Sequence, residues 1–360
     1  MLTKDKSITL DYAKALGIIS VVIGHYNMTP FGIPQPYLFH MALFFFIGGM
    51  LLNPGKNFAQ FLSAIFKKHI LYIVVTYIVI GGITKIITSN TESTLYNPFP
   101  DSFYETIHSI YRSDFHINSL FLVAWFLLAY SIASVFSLIA LKFAHDKKLS
   151  LLYIFLIAFL FGYLGMVTLP SMFQPGWNIQ FNYLSQACSG SMFMLLGFLM
   201  REAVFKYQSI IALSLSLLAV SFMTNSSIAQ PMTMSFSSYP SGYIVSTLTA
   251  MLCIYSVFCF ASMMQKQFGE SLFLRIGRSS KTIMSYHLLV LYMIDLFISL
   301  FGWVDIKEVN ALTHYYSPYI WPVYLLAPVI LLTGANATYK YAKEKLIDYA
   351  LLNKNINNTN

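Results

Sequence analysis

The sequence predicts an all-α integral membrane protein, a polytopic bundle of about ten transmembrane helices with both termini in the cytoplasm. Hydrophobic residues make up 57% of the 360 residues and charged residues only 10%, whereas about 25% of an ordinary soluble domain is charged. The apolar residues recur in blocks of about 18 to 22, the length a helix needs to cross a hydrocarbon layer of ~30 Å. The third observation is the distribution of lysine and arginine along the chain.

Apolar blocks, separated by turn and charge signals, place the helices in order along the chain. We expect them near residues 8–26, 37–53, 70–88, 119–141, 150–169, 182–200, 208–224, 243–264, 282–301 and 320–339. With no internal repeat and no soluble block, residues 1–345 form one transmembrane domain and residues 346–360 a short polar cytoplasmic tail. The amphipathic segment 54–69 and part of the long outer loop 89–118 are expected to lie at the membrane surface.

If the N-terminus is cytoplasmic, every lysine and arginine falls in an inner segment except Lys14, Lys85, Arg112 and Lys307. This positive-inside bias favours an even number of crossings of a multi-pass membrane protein. The membrane in which we expect the protein is the bacterial cytoplasmic membrane. The bias also explains the net charge of +8 without a nucleic-acid partner, since the basic residues are not gathered on one surface.

Neither a metal site nor a disulfide framework is expected. The three cysteines all lie in apolar segments, and the chain has no CxxC motif and no Cys/His metal-ligand spacing. The first apolar stretch holds charged residues and lacks a small-residue cleavage site, so we expect the first helix to remain in the mature protein.

That first helix carries Asp11, Lys14 and His25, and charged groups within a bilayer are costly. At 100° per residue, Lys14 and His25 lie about 20° apart on one face and some 16 Å apart in depth. One interpretation is a polar stripe facing a cavity, in which His25 accepts a proton and Lys14 holds an anionic group. The other is an interfacial Asp11–Lys14 ion pair with His25 at the outer boundary.

Two later helices carry further candidates. His40 opens the second helix at the same outer depth as His25, so both histidines are able to face one site. Gly48 and Gly49 indicate close packing of this helix. Asp295 is an unpaired intramembrane acid by sequence and therefore a candidate for a polar cavity.

At this point the chain resembles the membrane-bound acyltransferase family 3. The resemblance lies in Lys14, ten residues and His25, followed by FHMALFFFIGGMLL at 39–52. Three later segments are similar as well: AWFLLA at 124–129, FMLLGFL at 193–199 and IGRSSKTIMSYH at 276–287. The chain differs in having lysine at position 14, where many members have arginine.

The resemblance implies transfer of an acyl group, usually acetyl, from a cytoplasmic acyl-CoA to a hydroxyl of a saccharide or lipid-linked saccharide acceptor. His25 is then the candidate base or acyl-relay residue, and Lys14 the candidate for CoA binding or electrostatic support. His40 is a second acid/base or acceptor-orienting group. Acyl-CoA is a substrate, so no permanently bound cofactor is expected, and the oligomeric state stays open.

Acyl-CoA binding has further candidates near the start of the ninth helix. Arg278, Ser280 and Lys281 are able to meet CoA phosphates at a helix N-terminus. Ordinary positive-inside topology is the favoured explanation of the two basic residues, and Ser280 has an alternative role as an N-cap. His287, expected near the depth of Lys14, is a candidate for lining the donor site.

A transporter or flippase for a sugar or lipid-linked substrate remains the alternative function. In it, Asp11, Lys14, His25 and Asp295 would form a proton-coupling path. The absence of repeat symmetry in the sequence speaks against this alternative.

Overall fold

In the computed structural model, residues 3–26, 35–269, 271–317 and 319–357 are described, with side chains to residue 348. Over these residues the chain is an all-α bundle with no β-strand. Its helices are α1 Lys4–Gly24, α2 His40–Met50, α3 Phe58–Ile65, α4 Leu71–Asn90, α5 Phe103–Ser113, α6 Ala124–Asp146, α7 Leu151–Tyr163, α8 Leu169–Met172, α9 Ile179–Met200, α10 Ala203–Lys206, α11 Ile210–Asn225, α12 Gly242–Phe268, α13 Leu272–Arg278, α14 Ser280–Ser299 and α15 Trp321–Asn357.

The bundle has the character of a polytopic membrane protein, because eight of its described helical stretches are long and apolar enough to cross a bilayer. Two further apolar helices, α2 and α11, are shorter. Each of the ten predicted segments overlaps one of these apolar helices. At 11 residues, α2 rises only about 16 Å, so the number of complete crossings stays a prediction.

Two stretches are more continuous than the sequence predicts. The amphipathic segment 54–69 is not separate, because α3 runs through a π-helical turn, Phe66–Ile70, into α4. The last helix, expected to end near residue 339, continues to Asn357, since alanine, lysine and glutamate after residue 339 favour helix. Residues 358–360 of the predicted tail lie outside the described part of the chain.

Between α4 and α6, the predicted surface segment contains one helix, α5, whose N-cap Ser102 accepts a hydrogen bond from the Glu105 amide at 3.1 Å. Phe103, Tyr104 and Ile107 are exposed on it. Such a helix suits a membrane interface, where one face is apolar and the other wet.

Helices α2 and α9 pack closely at the centre, as Gly48 and Gly49 predict. A Cβ atom on Gly49 would collide with the Met194 carbonyl, and one on Gly197 would collide with the Phe46 carbonyl. The two backbones therefore approach closely enough to fix the position of α2, which carries His40.

Charged contacts distinguish the two ends of the bundle. Lys6 pairs with Glu202, Arg278 pairs with Asp11, and the Lys281 ammonium donates to the Lys68 carbonyl. We call this the basic end and the other the opposite end. Because α1 runs from the basic end to the opposite end, Asp11 and Lys14 lie in its middle turns, whereas His25 follows its last turn at the opposite end.

Candidate functional site

A cavity of about 300 Å³ opens at the opposite end of the bundle. We call it the histidine cavity, because His25, His40 and His116 line it together with Tyr37, Trp125 and Met284. The sequence predicted that His25 and His40 face one site, and the structure brings them into the same cavity. His116, on the loop before α6, was not among the predicted site residues.

His25 lies directly after the last turn of α1, where the helical hydrogen-bond pattern ends. Its ring packs against that of His287, with 5.0 Å between centroids, and edge-on against Tyr37 at 6.3 Å. Within the described part of the chain, His25 Nδ1 is buried without a hydrogen-bond partner.

Backbone carbonyls orient two neighbouring histidines. His40 Nδ1 donates to the Pro36 carbonyl at 2.6 Å, and His287 Nδ1 donates to the carbonyls of Met284 and Ile283 at 2.7 and 3.0 Å. A neutral imidazole that donates through Nδ1 carries its lone pair on Nε2. His287 Nε2 is buried and has no partner among the described residues.

This placement corrects the prediction for His287. We expected it near the depth of Lys14, lining the donor site, but it packs on His25 instead. Helix α14 begins at Ser280, and the seven residues from there to His287 rise about 10 Å into the bundle. The His287 side chain therefore lies inside the bundle, farther from the basic end than Ser280.

A second cavity, of about 170 Å³, lies toward the basic end, and we call it the basic cavity. Its lining includes Lys14, His69, Tyr130, Ser280, Lys281 and Met284. The structure thus joins the predicted residues Lys14, Ser280 and Lys281. His69, which the sequence analysis missed, comes from the π-helical turn, a distortion that is frequent at functional sites.

Met284 lines both cavities. It lies on α14, less than one helical turn before His287. Met284 therefore contacts both the basic cavity, which contains Lys14, and the histidine cavity, which contains His25.

Asp11 organises the charges beside the basic cavity. Its carboxylate pairs with Lys14 Nζ at 2.5 Å and with Arg278 Nε at 3.1 Å. The Asp11–Lys14 pair is the one that the sequence suggested. Arg278 is half exposed and does not line the basic cavity, so its observed role is to hold Asp11 rather than to face a ligand there.

Asp295 is not the unpaired acid that the sequence indicated. It accepts hydrogen bonds from His314 Nδ1 at 2.7 Å, the Tyr315 amide at 2.9 Å and the Tyr324 hydroxyl at 2.5 Å. Both Asp295 and His314 are buried. His314 lies on the loop after α14, and no local pattern in the sequence could have linked it to Asp295. Asp295 therefore joins α14 to the following loop and to α15, and it lines neither cavity.

Asp114 anchors the wall of the histidine cavity that contains His116 and residues 233–236, which we call the outer wall. Its Oδ2 accepts from Gln186 Nε2 at 2.5 Å and Asn182 Nδ2 at 3.0 Å, and both amides also donate to the Ser235 carbonyl. Burial raises the pKa of the Asp114 carboxyl to about 7, against the lowering effect of these hydrogen bonds. Near neutral pH this acid therefore carries a proton in part of the folded molecules.

This raised pKa predicts a pH-dependent stability. The folded state binds the Asp114 proton more tightly than the unfolded state. This proton therefore contributes fully to the free energy of unfolding below about pH 4, and the contribution is lost as pH rises to about 7. We expect the wild-type protein to lose up to ~1.4 kcal/mol per pH unit relative to Asp114→Asn over this window. Thermal unfolding of both proteins between pH 5 and 8 measures this difference. If the stability of the two proteins changed in parallel with pH, the prediction would be wrong.

The chemistry that the cavities offer is proton transfer and anion binding. Among the described residues, no three His, Cys, Asp or Glu side chains group as metal ligands. The histidine cavity instead presents imidazoles for acid–base work, and the basic cavity presents two ammonium groups.

Comparison with known proteins gives one match. A family model described as an acyltransferase domain, of the acyltransferase 3 type, matches residues 7–336. No curated protein and no solved structure matches the chain. The matched region contains both cavities and all the candidate residues discussed above.

Proposed function

Because the chain belongs to the acyltransferase 3 family, we propose that it moves an acyl group from acyl-CoA to a hydroxyl of a cell-envelope sugar or polysaccharide precursor. Acetyl is the acyl group we propose. The family and the apolar helices together show that the protein is a multi-pass membrane acyltransferase.

The observation that carries the proposal is the pair of cavities that share Met284. A donor with an anionic head and a long flexible arm suits the basic cavity, where Lys14 and Lys281 supply positive charge. A hydroxyl acceptor suits the histidine cavity, where His25 is able to receive its proton. The positive-inside distribution of basic residues supports a cytoplasmic location for the donor side.

In the proposed reaction, His25 Nε2 takes the proton of the acceptor hydroxyl while the hydroxyl oxygen attacks the thioester carbonyl carbon. The carbon–sulfur bond then breaks, and the CoA thiolate takes the proton from His25. The products are the acyl ester and free CoA. The reaction needs no reactant other than acyl-CoA and the hydroxyl acceptor.

His287 is assigned to orient His25. For Nε2 of His25 to act as the base, its Nδ1 must carry the other hydrogen. The unpartnered His287 Nε2, on a ring whose centroid is 5.0 Å away, supplies a lone pair for that N–H after a small movement. This is the arrangement in which a third group holds a catalytic histidine in the correct tautomer.

The test of this function is acceptor-dependent release of free CoA thiol by purified protein in detergent, given acetyl-CoA and a panel of sugar acceptors. We expect thiol release that rises with acceptor and yields an acetylated product. If acetyl-CoA neither binds nor is consumed, the proposal fails and the transporter alternative gains.

Lys14→Met tests the donor side. Removing this ammonium group is expected to raise the KM for acetyl-CoA about tenfold, since hydrogen bonds to charged groups contribute roughly 1.5–3 kcal/mol. Asp11 keeps its bond to Arg278, so the local fold is retained. Lys85→Met, at an exposed lysine on α4, is the matched control, and equal KM values for the two variants would contradict the assignment.

A further inference from the structure

The outer wall of the histidine cavity consists of two loops that none of the assignments above uses. His116 comes from the first loop, and Thr233, Ser235 and Phe236 come from the second. These side chains share the cavity with His25. A ligand that presents a hydroxyl to His25 would therefore also meet this wall.

His116 is held in one orientation. Its Nδ1 donates to the carbonyls of Ser113 at 2.8 Å and Asp114 at 2.9 Å, and its ring lies 4.8 Å from that of Phe236. With Nδ1 occupied, Nε2 is the nitrogen left for a ligand. Asp114, the C-cap of α5, and Phe115 have φ angles of 49° and 67°. A left-handed backbone is uncommon for a bulky residue such as Phe115 and persists where the surrounding structure holds it.

Buried amide side chains join the two loops. Asn182 and Gln186 on α9 donate both to the Asp114 carboxyl and to the Ser235 carbonyl. Asn182 also accepts from the Ser237 hydroxyl at 2.5 Å, and residues 233 and 238 form an antiparallel bridge. The wall is thus a fixed surface, a property that binding sites require.

The wall and the rest of the cavity carry no formal charge. Within the described part of the chain, no lysine, arginine, aspartate or glutamate lines the cavity. Burial lowers the pKa of His116, so its imidazole is neutral at physiological pH. Aromatic rings of Tyr37, Trp125 and Phe236 supply apolar surface beside these neutral hydrogen-bonding groups.

From this arrangement we propose that His116 and the turn of residues 233–236 form an acceptor subsite for an uncharged unit with at least two hydroxyl groups. His116 Nε2 accepts a hydrogen bond from one hydroxyl while another lies at His25. The cavity volume of about 300 Å³ lies at the lower end of the range for small-molecule sites, roughly 300–1,000 Å³. It therefore suits one such unit at a time. This proposal rests on the proposed function for the role of His25 but not for binding itself.

Binding is tested first, without acyl-CoA. Saturation-transfer NMR on the detergent-solubilised protein would use the methyl glycosides of glucose, galactose and rhamnose, with glucose 6-phosphate and galacturonate as charged counterparts. We expect at least one neutral glycoside to bind the wild-type protein and the charged sugars to bind at least tenfold more weakly. Binding of no neutral glycoside, or equal binding of the charged sugars, would overturn the subsite.

Substitution of His116 provides the second arm. His116→Phe keeps an aromatic ring against Phe236 but removes the hydrogen bond, so we expect a 10- to 100-fold loss of glycoside affinity and a matching rise in the acceptor KM. His116→Gln should restore part of the affinity. His108→Phe, at an exposed histidine of α5, is the matched control, and unchanged thermal unfolding midpoints verify folding of all variants.

The two proposals fail in different ways. If the wild-type protein transfers no acyl group but His116→Phe still loses glycoside binding, the proposed function fails and the subsite stands. If acyl transfer proceeds and His116→Phe keeps wild-type affinity and acceptor KM, the subsite fails and the function stands. Acetyl-CoA binding should be within twofold of wild type in all His116 variants, and a larger change would assign His116 to the donor instead.

Discussion

Replacing His25 with alanine is expected to lower the rate of acyl transfer by about two to four orders of magnitude, the usual contribution of a general base. His25 lines the histidine cavity beside His287, and its Nδ1 has no hydrogen-bond partner among the described residues. Acetyl-CoA binding should stay within about twofold of wild type, since Lys14 and Lys281 lie in the other cavity. Initial rates of thiol release and equilibrium binding of acetyl-CoA measure the two effects separately.

His108→Ala is the control for this prediction, because His108 is exposed on α5 at the same end of the bundle. It should transfer acyl groups at the wild-type rate. If His25→Ala retained more than about a tenth of the wild-type rate, His25 would not be the base.

Replacing His287 should also slow acyl transfer, but by less than replacing His25. A hydrogen bond to a group that becomes charged contributes roughly 1.5–3 kcal/mol, so His287→Ala is expected to be about 10- to 100-fold slower. His287→Gln, whose side-chain oxygen is able to accept from His25, should recover part of the rate. The double variant should be no slower than His25→Ala, because residues that act as a unit are not additive.

Asp295→Ala is expected to cause the largest loss of stability, about 3–5 kcal/mol, the usual cost of removing one partner from a buried pair. The substitution leaves the Tyr315 amide, the Tyr324 hydroxyl and His314 Nδ1 without the acceptor that they share. Asp295→Asn keeps an acceptor oxygen and should lose less. The thermal unfolding midpoint in detergent is the measurement.

Asp101→Ala, at an exposed residue of the loop between α4 and α5, is the control for Asp295. Surface substitutions of this kind usually change stability by no more than about 0.5 kcal/mol. An Asp295→Ala protein as stable as the control would show that the network around Asp295 does not hold the loop after α14 to the bundle.

Local patterns predicted much of the fold. Apolar runs located every long helix, because burial in a bilayer demands a continuous apolar stretch wherever a helix crosses. Helical periodicity placed Lys14 and His25 on one face, and Gly49 indicated the close packing of α2 on α9. These predictions needed only residues that are near one another along the chain.

The errors arose where distant segments meet. Asp295 appeared unpaired because His314 and Tyr324 reach it from a loop and from the next helix. His287 appeared to belong to the donor side because its depth was judged from helix boundaries, whereas its ring packs on α1. The continuation of α3 into α4 was missed because the change in polarity at Lys67, Lys68 and His69 suggested a break.

By itself the sequence determined that this is a helical membrane protein whose first helical segment presents Lys14 and His25 on one face, about three turns apart. Hydrophobicity and helical geometry are properties of a single segment, and they suffice for that conclusion. Tertiary structure alone decided that His25 meets His287, that Met284 lies between two cavities and that Asp114 fixes His116 in the outer wall. Those contacts join residues far apart in the chain, and only packing brings them together.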